Sequence, residues 1–199
     1  MRTPNTATSG LAPGFLVAAP GLRDPNFARS LVLIADHAPE GALGFVVNRP
    51  ATVTLAEVLD QVDPALRAEA ERGGRASAPV MVGGPVQPER LWILHPPSPI
   101  PVEEGGIVIA DALALGGSRA LLEALVRAPS PGPFLILLGY SGWGPLQVER
   151  EVAAGGWVPL PFDVNLVLEV PVEARWDEAV KQLGLTPGGF SVGRGGAQA

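Results

Sequence analysis

Phe134-Leu-Ile-Leu-Leu-Gly-Tyr-Ser-Gly-Trp-Gly-Pro-Leu-Gln-Val-Glu149 is the stretch from which the fold is read. Residues 134–138 form an unbroken apolar run of strand length, which predicts a buried strand. Gly139, Gly142 and Gly144 then predict a tight turn. Pro145 suits the first helical position, and Gln147 and Glu149 follow it at a helix start. A strand that feeds a Gly-rich turn and a helix is a common setting for a binding site.

The same reading extends outward in both directions. Downstream, residues 146–154 predict a helix, 157–160 and 166–168 strands, and 175–183 an amphipathic helix stopped by Gly184. Upstream, residues 14–19, 30–35 and 42–47 predict three strands, the last two joined as a hairpin around 37–41. Pro50 holds Arg49 extended and closes that unit. Thr54-x-x-Glu57 is a capping box, and Leu55, Val58, Leu59 and Val62 make the apolar stripe of the helix it opens. Asp63-Pro64 ends or interrupts this helix, and residues 69–77, charged and Gly-containing, predict an exposed loop. Residues 80–82, 91–94 and 107–110 predict strands and 118–126 a helix. Four prolines make 95–101 irregular. Strand pairs come first and strand–helix units later, a pattern that favours α+β over a regular doubly wound sheet.

Composition bounds the function. A chain of 199 residues, 47% hydrophobic and 17% charged, folds rather than staying disordered. We expect one domain over 11–186, with a flexible N-terminus at 1–10 and a flexible Gly-rich tail at 187–199. The absence of cysteine excludes disulfides, thiolate catalysis and Cys-ligated metal centres. The start of the chain lacks the basic and apolar regions of a signal peptide, and no apolar run reaches the roughly 18 residues needed to span a bilayer. A cytoplasmic protein without membrane contact is expected. The net charge is −6 and Lys181 is the only lysine, so direct, backbone-driven nucleic-acid binding is disfavoured.

Gly84-Pro-Val-Gln-Pro-Glu-Arg90 parallels Gly144-Pro-Leu-Gln-Val-Glu-Arg150, each after an apolar strand. Duplication of one strand–turn–helix unit and coincidence in a Gly- and Pro-rich chain both remain open at this level.

Several blocks in order resemble the YqgE/AlgH family of bacterial proteins. They are Gly14-Phe-Leu-Val-Ala-Ala-Pro20, Asp24-Pro-Asn-Phe27, His37-Ala-Pro-Glu-Gly-Ala-Leu-Gly-Phe-Val-Val-Asn-Arg-Pro50, Val82-Gly-Gly-Pro-Val-Gln87, Leu94-His95, and the stretch from Gly139 to Glu149 with Trp157. The family usually has Gly where this chain has Leu146. The resemblance implies an α+β fold with a bifurcated or barrel-like mixed β-sheet surrounded by helices. It implies no established catalytic activity and no cofactor. One branch of the family has been named a transcriptional regulator.

The candidate binding residues are His37, Glu40, Asn48, Arg49, Gly83, Gly84, Tyr140, Trp143, Gln147 and Glu149. His37 and Glu40 share a turn near Asn48 and Arg49, and a His–Glu pair supports acid–base chemistry as readily as turn structure. His95, with His37 and Asp111 or Glu149, makes a ligand count for a metal, but no close histidine spacing supports it, and no metal is expected. Ser141 lacks the Gly-x-Ser-x-Gly spacing of a nucleophile elbow. Gly83-Gly84 and Gly142-Trp143-Gly144 offer backbone amides to an anion, or simply turn the chain. Tyr140, Trp143 and Trp157 line a pocket or fill the core. The favoured function is a cytosolic binding or regulatory protein acting through a small-ligand pocket or a protein partner. The alternatives are a transcriptional regulator, direct or indirect, and an enzyme of unknown reaction using His37, Glu40 or His95. No catalytic residue is assigned.

Overall fold

A computed structural model describes residues 10–130 and 132–186. The terminal segments expected to be flexible fall, apart from Gly10, outside the described residues. Nine strands and six α-helices are present among them: β1 (Gly14–Ala18), β2 (Leu31–Ala38), β3 (Gly41–Val46), α1 (Leu55–Val62), α2 (Pro64–Arg72), β4 (Val80–Val82), β5 (Val86–His95), β6 (Ile107–Ile109), β7 (Leu113–Gly116), α3 (Arg119–Arg127), β8 (Leu135–Trp143), α4 (Gln147–Ala153), β9 (Trp157–Pro161), α5 (Asn165–Leu168) and α6 (Arg175–Gln182). The architecture is α+β, a mixed sheet curled into a half barrel and flanked by helices.

The sheet runs β6-β7-β5-β8-β3-β2-β1-β9, with β4 as a branch on β8. β5 lies antiparallel along one edge of β8, from Leu94↔Leu135 to Leu91↔Leu138. The other edge is shared. β4 pairs in parallel with residues 136–138, and β3 pairs antiparallel with residues 141–143. The sheet therefore forks at Gly139 and Tyr140. Beyond the fork the chain from Val46 to Ala51 folds along the free side of β4, with Val46 N–H donating to Gly83 O and Ala51 N–H to Val80 O.

Alternation along the strands divides the apolar residues between faces. Phe15, Val17, Leu31, Leu33, Phe45, Leu94, Leu115 and Leu137 point into the curl, where Trp176 of α6 and Leu166 of α5 close it. Val80, Ile93 and Ile136 face the opposite way and are covered by Leu55 and Leu59 of α1, Leu66 of α2 and Leu121 and Leu125 of α3. Leu16, Ala18, Val32, Ile34 and Val46 pack against Trp143, Val148 of α4 and Trp157. Burial on both faces explains why these strands read as unbroken apolar runs.

Five expectations are corrected. β8 does not turn at Gly139 or Gly142; it continues to Trp143, and the chain turns only at Gly144. Gly139 serves close approach instead: at φ 70°, a Cβ there would stand 2.5 Å from Gly84 O, where β8 crosses the 83–84 segment. Pro145 is not the first helical residue, because Leu146 caps α4 in a left-handed conformation and the helix starts at Gln147. Part of the loop expected at 69–77 is α2, since Asp63 accepts from Ala65 N–H and Pro64 sits at the first helical position. The strand expected at 166–168 is α5, whose Leu166 and Val167 are buried together on a single turn. The repeated heptapeptide does not repeat a unit: residues 86–90 extend β5, whereas 147–150 begin α4. Pro88 prevents the first copy from continuing as a helix. The Leu113–Gly116 run, for which the sequence alone predicts no element, is strand β7 through its pairing with β5 and β6.

Two stability outcomes follow. The capping box at Thr54 is complete, with Glu57 N–H donating to Thr54 Oγ1 and Thr54 N–H to Glu57 Oε2. Thr54→Ala should destabilise by about 1 kcal/mol in denaturant melts, and an unchanged midpoint and slope would refute the cap. Leu146 adopts φ 57° while 62% exposed, so it carries left-handed strain with little burial in return. Leu146→Gly should stabilise by about 1 kcal/mol in the same assay, and destabilisation would mean that the side chain contributes packing that outweighs the strain.

Candidate functional site

Trp143 ends β8 and Trp157 begins β9, so the sheet and α4 between them bring the two indoles together. Their ring centroids lie 6.2 Å apart, nearly perpendicular. Phe27 completes the cluster, edge-on to Trp157 at 5.3 Å and tilted against Trp143 at 6.3 Å. Both indole N–H groups converge on one carboxylate oxygen: Trp143 Nε1 and Trp157 Nε1 donate to Glu151 Oε2 at 3.0 and 2.9 Å. The other oxygen, Oε1, accepts from Gln147 Nε2 at 2.8 Å, and Gln147 Oε1 accepts from Gly144 N–H. Gln147 and Glu151 are four apart and share one face of α4.

These groups line an open cleft of about 390 Å³, within the usual range for small-ligand sites. Its walls come from the 22–27 loop (Leu22, Asp24, Phe27), Pro85, the end of β8 (Gly142, Trp143), α4 (Gln147, Glu151, Ala154) and the start of β9 (Gly156, Trp157). Burial works to raise the pKa of Glu151. The hydrogen bonds from Gln147, Trp157 and Trp143 outweigh it and hold the carboxyl below the ordinary glutamate range. Glu151 is therefore ionised at neutral pH, and all three of its donors are neutral.

The expected residues divide into groups. Trp143 and Gln147 lie in this cleft. Glu149 points elsewhere, accepting from His37 Nε2 at 3.0 Å while 43% exposed. Leu11 N–H donates to His37 Nδ1 at 2.9 Å, so the ring proton sits on Nε2 and both nitrogens are engaged. The Glu149 carboxyl is lowered, first by its own backbone N–H and then by His37 against some desolvation. Glu40 is exposed in the β2–β3 turn. Asn48 and Arg49 clamp the loop that carries Phe27. Asn48 accepts from Leu31 N–H and donates to Arg29 O. The Arg49 guanidinium donates to the carbonyls of Pro25, Asn26 and Ala28. Gly83 N–H is spent on Leu138 O, and Gly84 lies against the backbone of Tyr140 and Ser141. Tyr140 packs on the core beside Trp92, with ring centroids 6.3 Å apart. Buried Ser141 donates to Gly83 O, an arrangement unlike an exposed nucleophile.

His37 and His95 do not meet. His37 pairs with Ala42, which pairs with Trp143. His95 follows Leu94, which pairs with Leu135 at the other end of β8. Eight residues of strand separate the two ends by roughly 25 Å. Among the described residues no cluster of three His, Asp or Glu side chains is placed to hold a metal ion. Strand register thus keeps His37 and His95 from sharing a metal ion.

Asp24, Phe27 and Glu151 were missed as site residues. For Glu151 the signal was present: Gln147-x-x-x-Glu151 is the spacing that aligns two side chains on a helix face. For Phe27 and Asp24 no local signal existed, because their loop reaches the cleft through the Arg49 clamp.

The family model described as DUF179, AlgH-like, matches residues 15–188. The chain belongs to the AlgH-like family. It is 64% identical to a UPF0301 protein of Anaeromyxobacter dehalogenans, covering 98% of this chain and 100% of that one. It is 67% identical, with the same coverage, to a relative from Anaeromyxobacter sp. strain Fw109-5. The solution structure of the AlgH protein from Pseudomonas aeruginosa is similar with a TM-score of 0.74 and 32% identity, over 92% of this chain and 94% of that one. A Corynebacterium diphtheriae protein shares the fold at a TM-score of 0.67 and 19% identity, over 92% and 90% of the two chains. Membership of the AlgH-like family accords with the bifurcated α+β sheet. No helix among the described residues is long and apolar enough to cross a membrane.

The lowered pKa of Glu151 has a consequence for stability. A carboxylate depressed by native hydrogen bonds contributes stability above its unfolded value, near pH 4.3, and loses it as pH falls through the lower folded value. The stability advantage of the wild type over Glu151→Gln should therefore shrink between about pH 5 and pH 3. Urea melts across that interval check it, and a constant difference would mean that the folded carboxyl is not depressed.

Proposed function

We propose that this AlgH-like protein is a cytosolic binding module, and that the cleft between the 22–27 loop and α4 is where it takes a small ligand or a side chain of a protein partner. The observation that carries this reading is the Glu151 carboxylate held by two indoles at the wall of an open, aromatic-lined cleft. Specific sites place a few oriented polar groups among apolar walls, and Glu151 with Gln147 has that character. The clamp formed by Asn48 and Arg49 supports the reading, since it fixes the loop that supplies one wall. Rigid walls reduce the entropy lost on binding.

Regulation through a partner is compatible with this role. Direct nucleic-acid readout has less support, given the net charge of −6. The acid–base reading has less support as well, because His37 has both ring nitrogens engaged.

Ala154 is exposed and lines the cleft just past α4, so a larger side chain there obstructs the site without entering the core. A fragment set of neutral, anionic and cationic small molecules, followed by NMR of the indole N–H signals, should shift Trp143 and Trp157 with at least one class. Ala154→Phe should abolish that shift and leave the melting temperature within a few degrees. Indole signals that no class moves, or shifts that survive Ala154→Phe, would overturn the proposal.

A further inference from the structure

Among the described residues, the ionisable ones that line this cleft are Asp24 and Glu151, both carboxylates, and none that is cationic lines it. Asp24 is exposed and uses Oδ1 to accept from Asn26 N–H at 2.8 Å. Glu151 is the deeper group. Its three donors, Trp143 Nε1, Trp157 Nε1 and Gln147 Nε2, satisfy hydrogen bonding without neutralising charge. A carboxylate offers about four lone-pair sites, so one remains on Oε1. Arg150, its neighbour in sequence, is exposed, does not line the cleft and exerts the smallest influence on the Glu151 carboxyl. Around these acids stand Leu22, Phe27, Pro85, Trp143 and Trp157, apolar walls of which three are aromatic.

An ionised carboxylate in a partly desolvated, aromatic-walled cleft attracts a cation on two counts. Coulomb attraction is stronger there than in bulk water, and aromatic faces attract cations through the ring quadrupole. Anions are repelled by both carboxylates. The apolar walls leave room for an aliphatic stem behind the charged head.

We infer that the cleft formed by Phe27, Trp143, Trp157, Glu151 and Asp24 selects an alkylammonium group, with the ammonium at Glu151 Oε1 and its aliphatic stem against the aromatic walls. This rests on the proposed binding role of the same cleft and names its ligand class. Two sources supply that chemistry, a free aliphatic polyamine and a lysine side chain of a protein partner.

The test uses three molecules of similar shape, n-butylammonium, 1-butanol and butyrate, titrated into the full chain at pH 7. The readouts are the indole N–H signals of Trp143 and Trp157. Butylammonium should half-saturate at a concentration at least tenfold below that of 1-butanol, and butyrate should give no shift. Glu151→Gln should remove the preference for ammonium over alcohol. Asp24→Asn, a surface change outside the indole hydrogen bonds, should weaken butylammonium two- to fivefold, and it keeps the test decisive should Glu151→Gln fail to fold. Spermidine and Nα-acetyl-lysine methylamide then separate the sources, since either one binding more tightly than butylammonium supports the inference and assigns the source. Equal response to butanol and butylammonium, or preference for butyrate, would overturn the charge selectivity while leaving a binding cleft. Indole signals that none of these molecules nor any other fragment moves would instead remove the binding role itself.

Discussion

Much of this molecule depends on β8 having too many neighbours. A strand has two edges, and one edge of β8 is taken by β5, which pairs with residues 135–138 and with Tyr140. β4 and β3 divide the other, and they can do so only if the chain crosses closely where one leaves and the next arrives. Gly84 and Gly139 permit that crossing: a Cβ on Gly84 would stand 2.2 Å from the Tyr140 carbonyl carbon. The fork sends β3 away with β2, β1 and β9, and it leaves β4 and β5 under the helices α1–α3. Three separate apolar clusters result instead of one, each lined by alternate residues of shared strands.

Closing the curl requires an unusual contact. Arg175, at the start of α6, is 4% exposed and forms no ion pair among the described residues. Its guanidinium donates to the carbonyls of Val47, Val167 and Val170, tying the end of the β3 segment to α5 and the turn before α6. Burial lowers its pKa to about 10, which still leaves it charged at neutral pH. Arginine tolerates this role because its delocalised charge is weakly hydrated and its planar fork reaches several carbonyls at once. Beside it Trp176 donates to Ala18 O, so α6 is anchored to β1 as well as to the segment that follows β3.

The cleft is a by-product of the same topology. Trp143 and Trp157 terminate strands on either side of α4, and the helix reaches back to both through Glu151. The 22–27 loop arrives from the other end of the chain and is held by Arg49. Residues 22–27 and 142–157, distant in sequence, thus meet at one cleft, and the Glu151 carboxylate links the two indoles and Gln147. Glu149, two residues away, serves a different contact with His37, and this in turn fastens the segment at Leu11. One short helix therefore stabilises two neighbouring regions with alternate acidic residues.

Local chemistry determined the elements that carry their own signals. The capping box at Thr54, the amphipathic face of α6 and the apolar runs of β1, β2, β4 and β8 were legible because each is specified within a few residues. So was family membership, through blocks of residues in order. Tertiary structure alone decided the rest. The same heptapeptide pattern became a strand at 86–90 and a helix at 147–150, because one copy pairs with β8 and contains Pro88 while the other follows a left-handed residue at the end of that strand. Gly139 and Gly142 suggested a turn locally, yet the chain continues as β8 through both, because β5 pairs at Leu138 and Tyr140 on either side of Gly139 and β3 pairs with residues 141–143. The site was half legible for the same reason: aromatic and helix-start residues announce themselves, but the meeting of Phe27, Trp143, Trp157 and Glu151 depends on strand register and on an arginine clamp, which no window of neighbouring residues contains.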